Sequence, residues 1–302
     1  MKFLVYQESR QGPRKSNQDR IAYSYSRDAL VMVVADGMGG HLHGEVAAHI
    51  AVQFVIEAFQ KQAQPRLDDP HRFLIDTITN AHLAILEYAE GRQLIETPRT
   101  TIVAAIIQEG IGFWAHVGDS RLYLVREGRV EQTTKDHSRV QMLVDMGRVR
   151  EEAVASHPDR NKIYNCLGQI NLPRVDISRR VPVKHGDTLV LATDGFWGPL
   201  TSRQICESLL RHDILGAMPP LMDMAEQRAG AEGDNVSVIA ITWIEESEPS
   251  GPQSISTVTM KLGDHTTKSA SFETAAAREN LSDDEIERAI EEIRMAIKKH
   301  SA

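Results

Sequence analysis

Short apolar segments alternate with longer amphipathic segments over the first 244 residues of the chain. One of them, VMVVADGMGG at residues 31–40, begins as a continuous apolar run and then ends abruptly at Asp36 and three glycines. A run of this kind predicts a strand that is buried on both faces. The alternation in IAYSYS predicts a half-buried strand, and further strands are predicted in TTIVAAII, GFWAHV, RLYLVREGRVEQ, DTLVLATD and NVSVIAITWI.

The amphipathic segments predict four helices, near residues 44–63, 70–90, 201–211 and 217–230. Neighbouring strands are joined by short turns, such as the hairpin turn predicted at Glu127-Gly128, and this favours antiparallel sheets. The helices come in pairs between groups of strands. Sheets that are covered by helices, and therefore an α+β fold, are expected.

The composition of the chain changes near residue 245, so that residues 1–244 are predicted to form the folded domain. Residues 245–280 are polar, rich in serine and threonine and without periodicity, which predicts a flexible linker. Residues 281–302 recover helical periodicity and predict an amphipathic C-terminal helix. One stripe of this helix carries Ile286, Ile290, Ile293 and Ile297. The stripe either packs on the folded domain or binds a partner or a second copy of the chain, and the long linker favours the second interpretation.

The overall charge and the cysteine content limit the classes of function. The chain of 302 residues has 34 basic and 42 acidic residues, a net charge of −8, which argues against nucleic acid as the main partner. This balance does not exclude one phosphate group held by one or two arginines. The two cysteines, Cys166 and Cys206, lack metal-ligand spacing, and no apolar segment approaches the ~20 residues of a membrane span. We therefore expect a cytoplasmic protein without a membrane span.

Four aspartates stand at strand ends, and each is next to a glycine. They lie in the pairs Asp36-Gly37, Gly118-Asp119, Asp194-Gly195 and Gly233-Asp234. Carboxylates that are packed together repel one another unless they are protonated or bridged by cations. Hard cations such as Mg²⁺ and Mn²⁺ suit an all-oxygen site of this kind. The pattern alone leaves open that each aspartate belongs to an independent tight turn.

Several motifs occur in a characteristic order within residues 5–244. They are RKSNQD, VVADGMGGHLHGEVAA, RTTIVAAII, HVGDSRLYLVREG, TTKDHS, NCLG, LATDGFWGPL and GDNVSVIAI. In this order they resemble the metal-dependent serine/threonine phosphatases of the protein phosphatase 2C family, in its bacterial form. The resemblance implies an α-β-β-α sandwich, in which two packed antiparallel sheets are flanked by helix pairs.

The resemblance also implies a set of metal ligands. Asp36 matches the acid that bridges two metal ions, and Gly37 matches the glycine whose backbone carbonyl binds one of them. Asp194 and Asp234 match the acids that complete the shell of the second ion, and Asp119 is similar to a ligand of a weaker third ion. The implied cofactors are therefore two Mn²⁺ or Mg²⁺ ions, with a third, more weakly bound ion.

Other matched positions concern the substrate and its surroundings. Arg14 matches the residue that holds the substrate phosphate, because a guanidinium fork can bind two phosphate oxygens. Gln18 and Asp19 match positions that contact metal-bound waters, although many relatives carry Glu where Gln18 stands, and Asn235 is expected to support the ligands. His41 is either a proton donor to the leaving oxygen or a hydrogen-bonded loop residue.

The function implied by the resemblance is dephosphorylation of phosphoserine and phosphothreonine in proteins, by attack of metal-activated water on phosphorus. The implied partners are phosphorylated proteins, a bacterial serine/threonine kinase as counterpart, and a partner for the C-terminal helix. The alternative is a pseudophosphatase or a scaffold that binds phosphoproteins without turnover. Retention of Asp36, Asp194 and Asp234 argues against that alternative. A nucleotide-binding protein or a kinase is also disfavoured, because the sequence lacks a P-loop and the kinase signature motifs.

Overall fold

Strand β3 (Ala29–Ala35) is the apolar run that precedes Asp36, and all seven of its residues are buried. The computed structural model describes residues 1–38, 43–150, 153–154, 157–245 and 256–259 of the chain. Alternate side chains of β3 point to opposite faces, as the pleat of a strand requires. Leu30 and Met32 face a second sheet, whereas Val31 and Val33 face a pair of helices. Burial on both faces explains why this strand is continuously apolar.

Two antiparallel sheets form the centre of the described fold. The first has the strand order β1 (Lys2–Arg10), β13 (Val236–Glu245), β12 (Thr188–Ala192), β8 (Arg121–Arg126) and β9 (Arg129–Thr133). The second has the order β10 (Asp176–Ile177), β7 (Ile111–Val117), β6 (Ile102–Gln108), β3, β2 (Arg20–Tyr25) and β14 (Ser256–Thr259), with β11 (Val181–Pro182) also paired to β7. A small separate ladder joins β4 (Gly37–Met38) to β5 (Arg99–Thr100).

Helices cover the outer face of each sheet. The helices are α1 (Gly44–Gln62), α2 (Pro70–Gly91), α3 (Arg139–Asp145), α4 (Asp194–Trp197), α5 (Ser202–Arg211) and α6 (Ile214–Ala229), and a short 3₁₀ helix spans Gly230–Glu232. Phe59 of α1 and Phe73 of α2 pack against the second sheet in one apolar core. Phe196 of α4 and Leu221 of α6 pack against the first sheet in another. The described fold therefore has four layers and three apolar interfaces, including the one between the two sheets.

The α+β class and the α-β-β-α arrangement predicted from the sequence are confirmed. The helices predicted near 44–63, 70–90 and 201–211 agree with α1, α2 and α5 within one or two residues. The helix predicted from residue 217 begins at Ile214, because the side chain of Asp213 accepts a hydrogen bond from the Gly216 N–H and caps the helix. The hairpin turn at Glu127-Gly128 joins β8 to β9, with positive φ angles of 49° and 72°.

The C-terminal part of the chain is described only at β14, which lies within the segment predicted as a linker. Thr259 pairs with Ala22 and Ser256 with Tyr25, so that β14 forms the edge of the second sheet beside β2. The predicted helix at residues 281–302 lies outside the described residues. The division into a domain at 1–244, a linker at 245–280 and this helix stays a prediction.

None of the described helices combines the length and the apolar character that a membrane-spanning helix needs.

Candidate metal centre

Five aspartates from distant parts of the chain meet at one end of the two sheets. Asp36 directly follows β3, Asp194 begins α4 after β12, and Asp19 directly precedes β2. Asp119 lies between β7 and β8, and Asp234 lies two residues before β13. The charges of Asp19, Asp119, Asp194 and Asp234 all act on Asp36. The five acids therefore lie close together and are not independent turns. We call these five residues the carboxyl cluster.

The pKa values within the carboxyl cluster are raised because the groups are buried together. Burial raises the pKa of Asp36 and of Asp119 well above the ordinary value, and neighbouring carboxylates raise both further. Burial, with the charges of Asp194 and Asp234, raises the pKa of Asp19 to about 7. Burial and the charge of Asp234 raise the pKa of Asp194 to about 6, although a hydrogen bond with Asp36 opposes this rise. The cluster therefore favours bound protons or cations.

The donor set of the cluster fits hard divalent cations. Oδ1 of Asp119 and Oδ1 of Asp194 are buried and have no hydrogen-bond partner among the described residues. A buried carboxylate oxygen without a partner is unfavourable, and a cation that prefers oxygen ligands removes this penalty. The crowding of acids and these two oxygens together indicate a site for Mg²⁺ or Mn²⁺.

Gly37 and Gly195 allow neighbouring backbone segments of the site to approach closely. A Cβ atom at Gly37 would lie 2.3 Å from the Gly44 carbonyl oxygen, at the start of α1, and 2.7 Å from the Gln18 carbonyl oxygen. A Cβ atom at Gly195 would lie 2.0 Å from the Asn235 carbonyl oxygen. Any side chain at these positions would push the backbone segments apart. The glycines beside Asp36 and Asp194 thus permit a close backbone approach in addition to the metal contact expected of Gly37.

Asn235, which is 5% exposed, connects the N-terminal loop to the cluster. Its Oδ1 accepts a hydrogen bond from the Gln18 N–H at 2.8 Å, and its Nδ2 donates to the carbonyls of Gln11 and Ser16 at 2.7 and 3.0 Å. The side chain therefore fixes the loop before β2, which carries Asp19. The predicted support of the metal ligands by Asn235 stays a prediction.

Asp19 is held by a hydroxyl group from the segment that directly follows β12. The Thr193 hydroxyl donates to its Oδ2 at 2.9 Å, and Asp19 is only 3% exposed. Thr101, which directly follows β5, supports Asp36 in a similar way, because its Oγ1 accepts the Asp36 N–H at 3.1 Å. Thr193 and Thr101 were not among the residues predicted for the site. Both residues stand in the motifs RTTIVAAII and LATDGFWGPL, but their hydrogen-bond partners are far away in the chain, so that the motifs could not indicate these contacts.

Arg14 lies at the solvent-exposed edge of the cluster. Its Nη2 donates to Oδ2 of Asp234 at 2.8 Å and its Nε donates to the Gly233 carbonyl at 3.1 Å. The side chain of Arg14 is 53% exposed. A guanidinium in this place is attached to the cluster and open to a ligand from solvent.

Asp136 and Arg121 act on Asp119 by their charges, and they are paired with each other. Arg121 makes two hydrogen bonds to Asp136, at 2.8 and 2.7 Å, and its guanidinium lies 3.5 Å from the centre of the Trp197 ring. The bidentate pair neutralises Asp136, which otherwise adds to the repulsion on Asp119. Arg121 thereby partly offsets the rise in the pKa of Asp119.

A second set of potential metal ligands lies outside the carboxyl cluster, and its hydrogen bonds argue against metal binding. One ligand atom each from His116, His137 and Asp176 lies within 4.8 Å of the others. Nδ1 of His137 accepts the Gly118 N–H at 3.1 Å, so that the proton of the neutral ring is on Nε2, which faces Asp176 at 3.3 Å. Nε2 of His116 faces the Lys135 carbonyl at 2.8 Å and must donate to it. A cation bound to Nε2 of His137 would displace the ring proton to Nδ1. A protonated Nδ1 can no longer accept the Gly118 N–H, so that metal binding would break this hydrogen bond.

Gln18 and Glu45 lie beside the cluster, and only Gln18 was predicted from the sequence. Nε2 of Gln18 contacts Oε2 of Glu45, in the first turn of α1, at 3.3 Å. His41 lies outside the described residues, so that its predicted role is not tested. The structure thus brings together Arg14, Gln18, Asp19, Asp36, Gly37, Asp119, Asp194, Asp234 and Asn235.

Comparisons with known proteins agree with this geometry and confirm the resemblance. The family model described as protein phosphatase 2C matches residues 7–233. The serine/threonine phosphatase stp of Listeria monocytogenes is 31% identical over 230 residues, which cover 76% of this chain and 90% of that protein. The structure of the S. agalactiae serine/threonine phosphatase has a TM-score of 0.72 and 30% identity, with 81% of this chain and 100% of that chain covered.

A further similar structure contains metal ions. The catalytic domain of the serine/threonine protein phosphatase PstP, in complex with two manganese ions, has a TM-score of 0.69 and 28% identity. The match covers 80% of this chain and 99% of that chain. Agreement in sequence and in architecture establishes that the chain belongs to the protein phosphatase 2C family.

Proposed function

We propose that this protein removes the phosphate group from phosphoserine and phosphothreonine in proteins with the help of divalent cations. The observation that carries this proposal is the carboxyl cluster, with its raised pKa values and two buried carboxylate oxygens without a hydrogen-bond partner among the described residues. Membership of the protein phosphatase 2C family and the names of the relatives support the reaction type.

Two cations would be held by Asp36, the carbonyl of Gly37, Asp194 and Asp234. A third, weaker cation would be held by Asp119, whose Oδ1 has no partner among the described residues. Two manganese ions occur in the PstP structure, which supports Mn²⁺ or Mg²⁺ here. Cations bound in such a site lower the pKa of water and stabilise negative charge on phosphoryl oxygens.

The residues of the chain have separate parts in binding and orientation. Arg14 would hold the phosphoryl oxygens of the substrate, since its guanidinium is anchored by Asp234 and Gly233 at the exposed edge of the cluster. Thr193 and Asn235 would keep Asp19 and the loop before β2 in place. His41 as the donor of a proton to the leaving oxygen stays a hypothesis.

The physiological context is proposed from the same arguments. The substrates would be phosphorylated proteins, with a serine/threonine kinase as counterpart, and the C-terminal helix would bind a partner. Cys166 and Cys206 are both buried and free, which agrees with a reducing compartment such as the cytoplasm. The alternative, a phosphoprotein-binding protein without turnover, is disfavoured by the complete set of acids at the site.

Purified protein is expected to hydrolyse phosphoserine and phosphothreonine peptides only with Mn²⁺ or Mg²⁺ present. Asp36→Asn should reduce kcat by at least about 100-fold, because Asp36 is the proposed ligand shared by both cations. Asp76→Asn is the control, since Asp76 makes an exposed ion pair with Arg72 on α2. An exposed ion pair contributes little to the stability of the protein. Phosphate release with and without chelator measures both effects. Full activity in chelator would refute the metal mechanism, and absence of turnover with bound Mn²⁺ would favour the binding protein.

Arg14→Ala should lower kcat/KM about 10-fold or more, because a charge-assisted hydrogen bond to phosphate contributes about 1.5–3 kcal/mol. Its effect on Mn²⁺ affinity should be smaller, since Arg14 is assigned to the substrate. Arg203→Ala provides the control, as Arg203 pairs with Glu207 on the exposed face of α5. Steady-state kinetics and a Mn²⁺ titration separate the two effects. An unchanged kcat/KM would show that Arg14 does not hold the phosphate.

Metal-free protein should lose stability as the pH rises from about 4 to about 7. The folded state keeps a proton on Asp19 up to its pKa of about 7, whereas the unfolded chain loses it near the ordinary pKa of about 4. The stabilisation is therefore fully present below about pH 4 and is lost as the pH rises through about 7. Urea unfolding in chelator measures this change in the free energy of unfolding for wild type and Asp19→Asn.

The variant removes the titration of Asp19, because an amide does not titrate, and it also removes the repulsion of Asp19 on Asp36. Between about pH 5 and about pH 8, the wild type should lose about 2 kcal/mol more than Asp19→Asn. Saturating Mn²⁺ should reduce the difference, because the cations replace the protons. Equal losses in the two proteins would show that the proton is not held by Asp19.

Deletion of residues 249–302 should leave hydrolysis of a small aryl phosphate nearly unchanged and lower activity toward the physiological phosphoprotein. The reason is that the C-terminal helix is proposed to raise the local concentration of the substrate by binding a partner. This deletion also removes β14, so deletion of residues 281–302 alone separates the helix from the strand on β2. If both truncations unfold the enzyme or impair both activities equally, the helix belongs to the folded domain.

A further inference from the structure

Backbone hydrogen bonds fix Gln18, which lies in the loop before β2, to the segment after β3 and to the segment before β13. Its N–H donates to Oδ1 of Asn235 at 2.8 Å, and its carbonyl accepts the Gly37 N–H at 3.2 Å. The next residue is Asp19, which belongs to the carboxyl cluster. The base of the Gln18 side chain is therefore held between the turn after β3 and the segment before β13.

Glu45 approaches the tip of the same side chain from the first turn of α1. Its Oε2 lies 3.3 Å from Nε2 of Gln18. The start of α1 is itself fixed against the cluster, since a Cβ atom at Gly44 would lie 2.9 Å from the Gly37 backbone and 3.1 Å from the Gln18 amide. A negative charge in the first turn of a helix is favourable, and Arg20 adds an attractive charge nearby. Glu45 is thus a fixed acceptor on one side of the Gln18 amide.

The chemistry of the two groups determines the orientation of the amide. A side-chain amide has a donor end and an acceptor end, whereas a carboxylate only accepts hydrogen bonds. Gln18 must therefore turn its NH₂ group to Glu45, which leaves Oε1 as an acceptor. The water molecules around a divalent cation present O–H donors, and Oε1 is the end of the amide that can bind them.

We propose that Glu45 is a positioning residue, which orients the Gln18 amide so that Oε1 accepts a hydrogen bond from the hydration shell of a cation held by the carboxyl cluster. This role rests on the proposed function. Gln18 and Glu45 then act as a pair with a single negative charge. A carboxylate at position 18 could make the same contact with a hydration shell, but it would be repelled by Glu45.

A double-mutant cycle tests the pair with four proteins: wild type, Glu45→Gln, Gln18→Ala and the double variant. Mn²⁺ affinity is measured by calorimetric titration without substrate. In the wild-type background, Glu45→Gln should weaken Mn²⁺ binding about 3-fold to 10-fold, because the amide is no longer oriented. In the Gln18→Ala background, the same change should alter Mn²⁺ affinity by less than about 2-fold, because no amide remains to be oriented.

The loss of the effect when Gln18 is absent distinguishes positioning from a general effect of charge or of helix stability. An equal loss of Mn²⁺ affinity in both backgrounds would overturn the proposal, since it would show that Glu45 acts independently of residue 18. Glu57→Gln is the matched control, because Glu57 makes a similar contact with Gln53 on the same helix, away from the cluster. Its Mn²⁺ affinity should equal that of the wild type, and a loss as large as that of Glu45→Gln would also contradict the proposal.

The same proteins separate this proposal from the proposed function. If the wild type binds Mn²⁺ and the effect of Glu45→Gln requires Gln18, the positioning role holds even when phosphopeptides are not hydrolysed, and only the function is refuted. If the wild type hydrolyses phosphopeptides and the effect of Glu45→Gln does not require Gln18, only the positioning role is refuted. If the wild type does not bind Mn²⁺, both are refuted.

Discussion

Repulsion among five carboxyl groups is the constraint that the architecture of this site has to satisfy. Burial and mutual repulsion raise the pKa values of Asp19, Asp36, Asp119 and Asp194, so that the charged cluster opposes folding. Each acid stands at the end of an element anchored in an apolar core. The three apolar interfaces of the sandwich thereby supply the rigidity that holds like charges together.

Backbone contacts transmit this rigidity to the loops. Gly37 packs on Gly44, and Gly195 packs on the backbone of Asn235, at separations that exclude any side chain. The start of α1 and the start of α4 are thus fixed directly to the segments that carry the acids. The Asn235 side chain also fixes the loop before β2, with which it makes three hydrogen bonds. If cations bind to these acids as proposed, little ordering of the segments that carry them opposes binding.

Local sequence patterns predicted the elements well and their contacts poorly. The continuous run in β3 and the periodicity of α1, α2 and α5 depend on neighbours in the chain, and these elements were predicted within a few residues. Strand β1 was missed, because it forms one edge of its sheet and most of its residues are only partly buried, so that it lacks a clear alternation. Strand β14 was also missed, because its segment has the polar composition of a linker.

The acids of the site were found from their position beside glycines, but the sequence pattern could not show that they meet. That step came from the order of the motifs, which resembles a known family, and the structure agrees with it. Glu45 was not recognised because an acid in the first turn of a helix is common for reasons of helix stability alone. Thr101 and Thr193 were missed because their partners, Asp36 and Asp19, are 65 and 174 residues away.

The position of Gln18 shows how the charge of such a site can be limited. A sixth carboxylate directly beside Asp19 would add to a repulsion that already raises the pKa of Asp19 to about 7. An amide at position 18 adds no charge, but it can present either its donor or its acceptor end. Glu45 removes that ambiguity from the first turn of α1, where its charge is favoured by the helix and by Arg20. The negative charge of the pair thus lies on Glu45, in the first turn of α1, and not at position 18. There the helix and Arg20 stabilise it, and the amide of Gln18 separates it from the acids of the cluster.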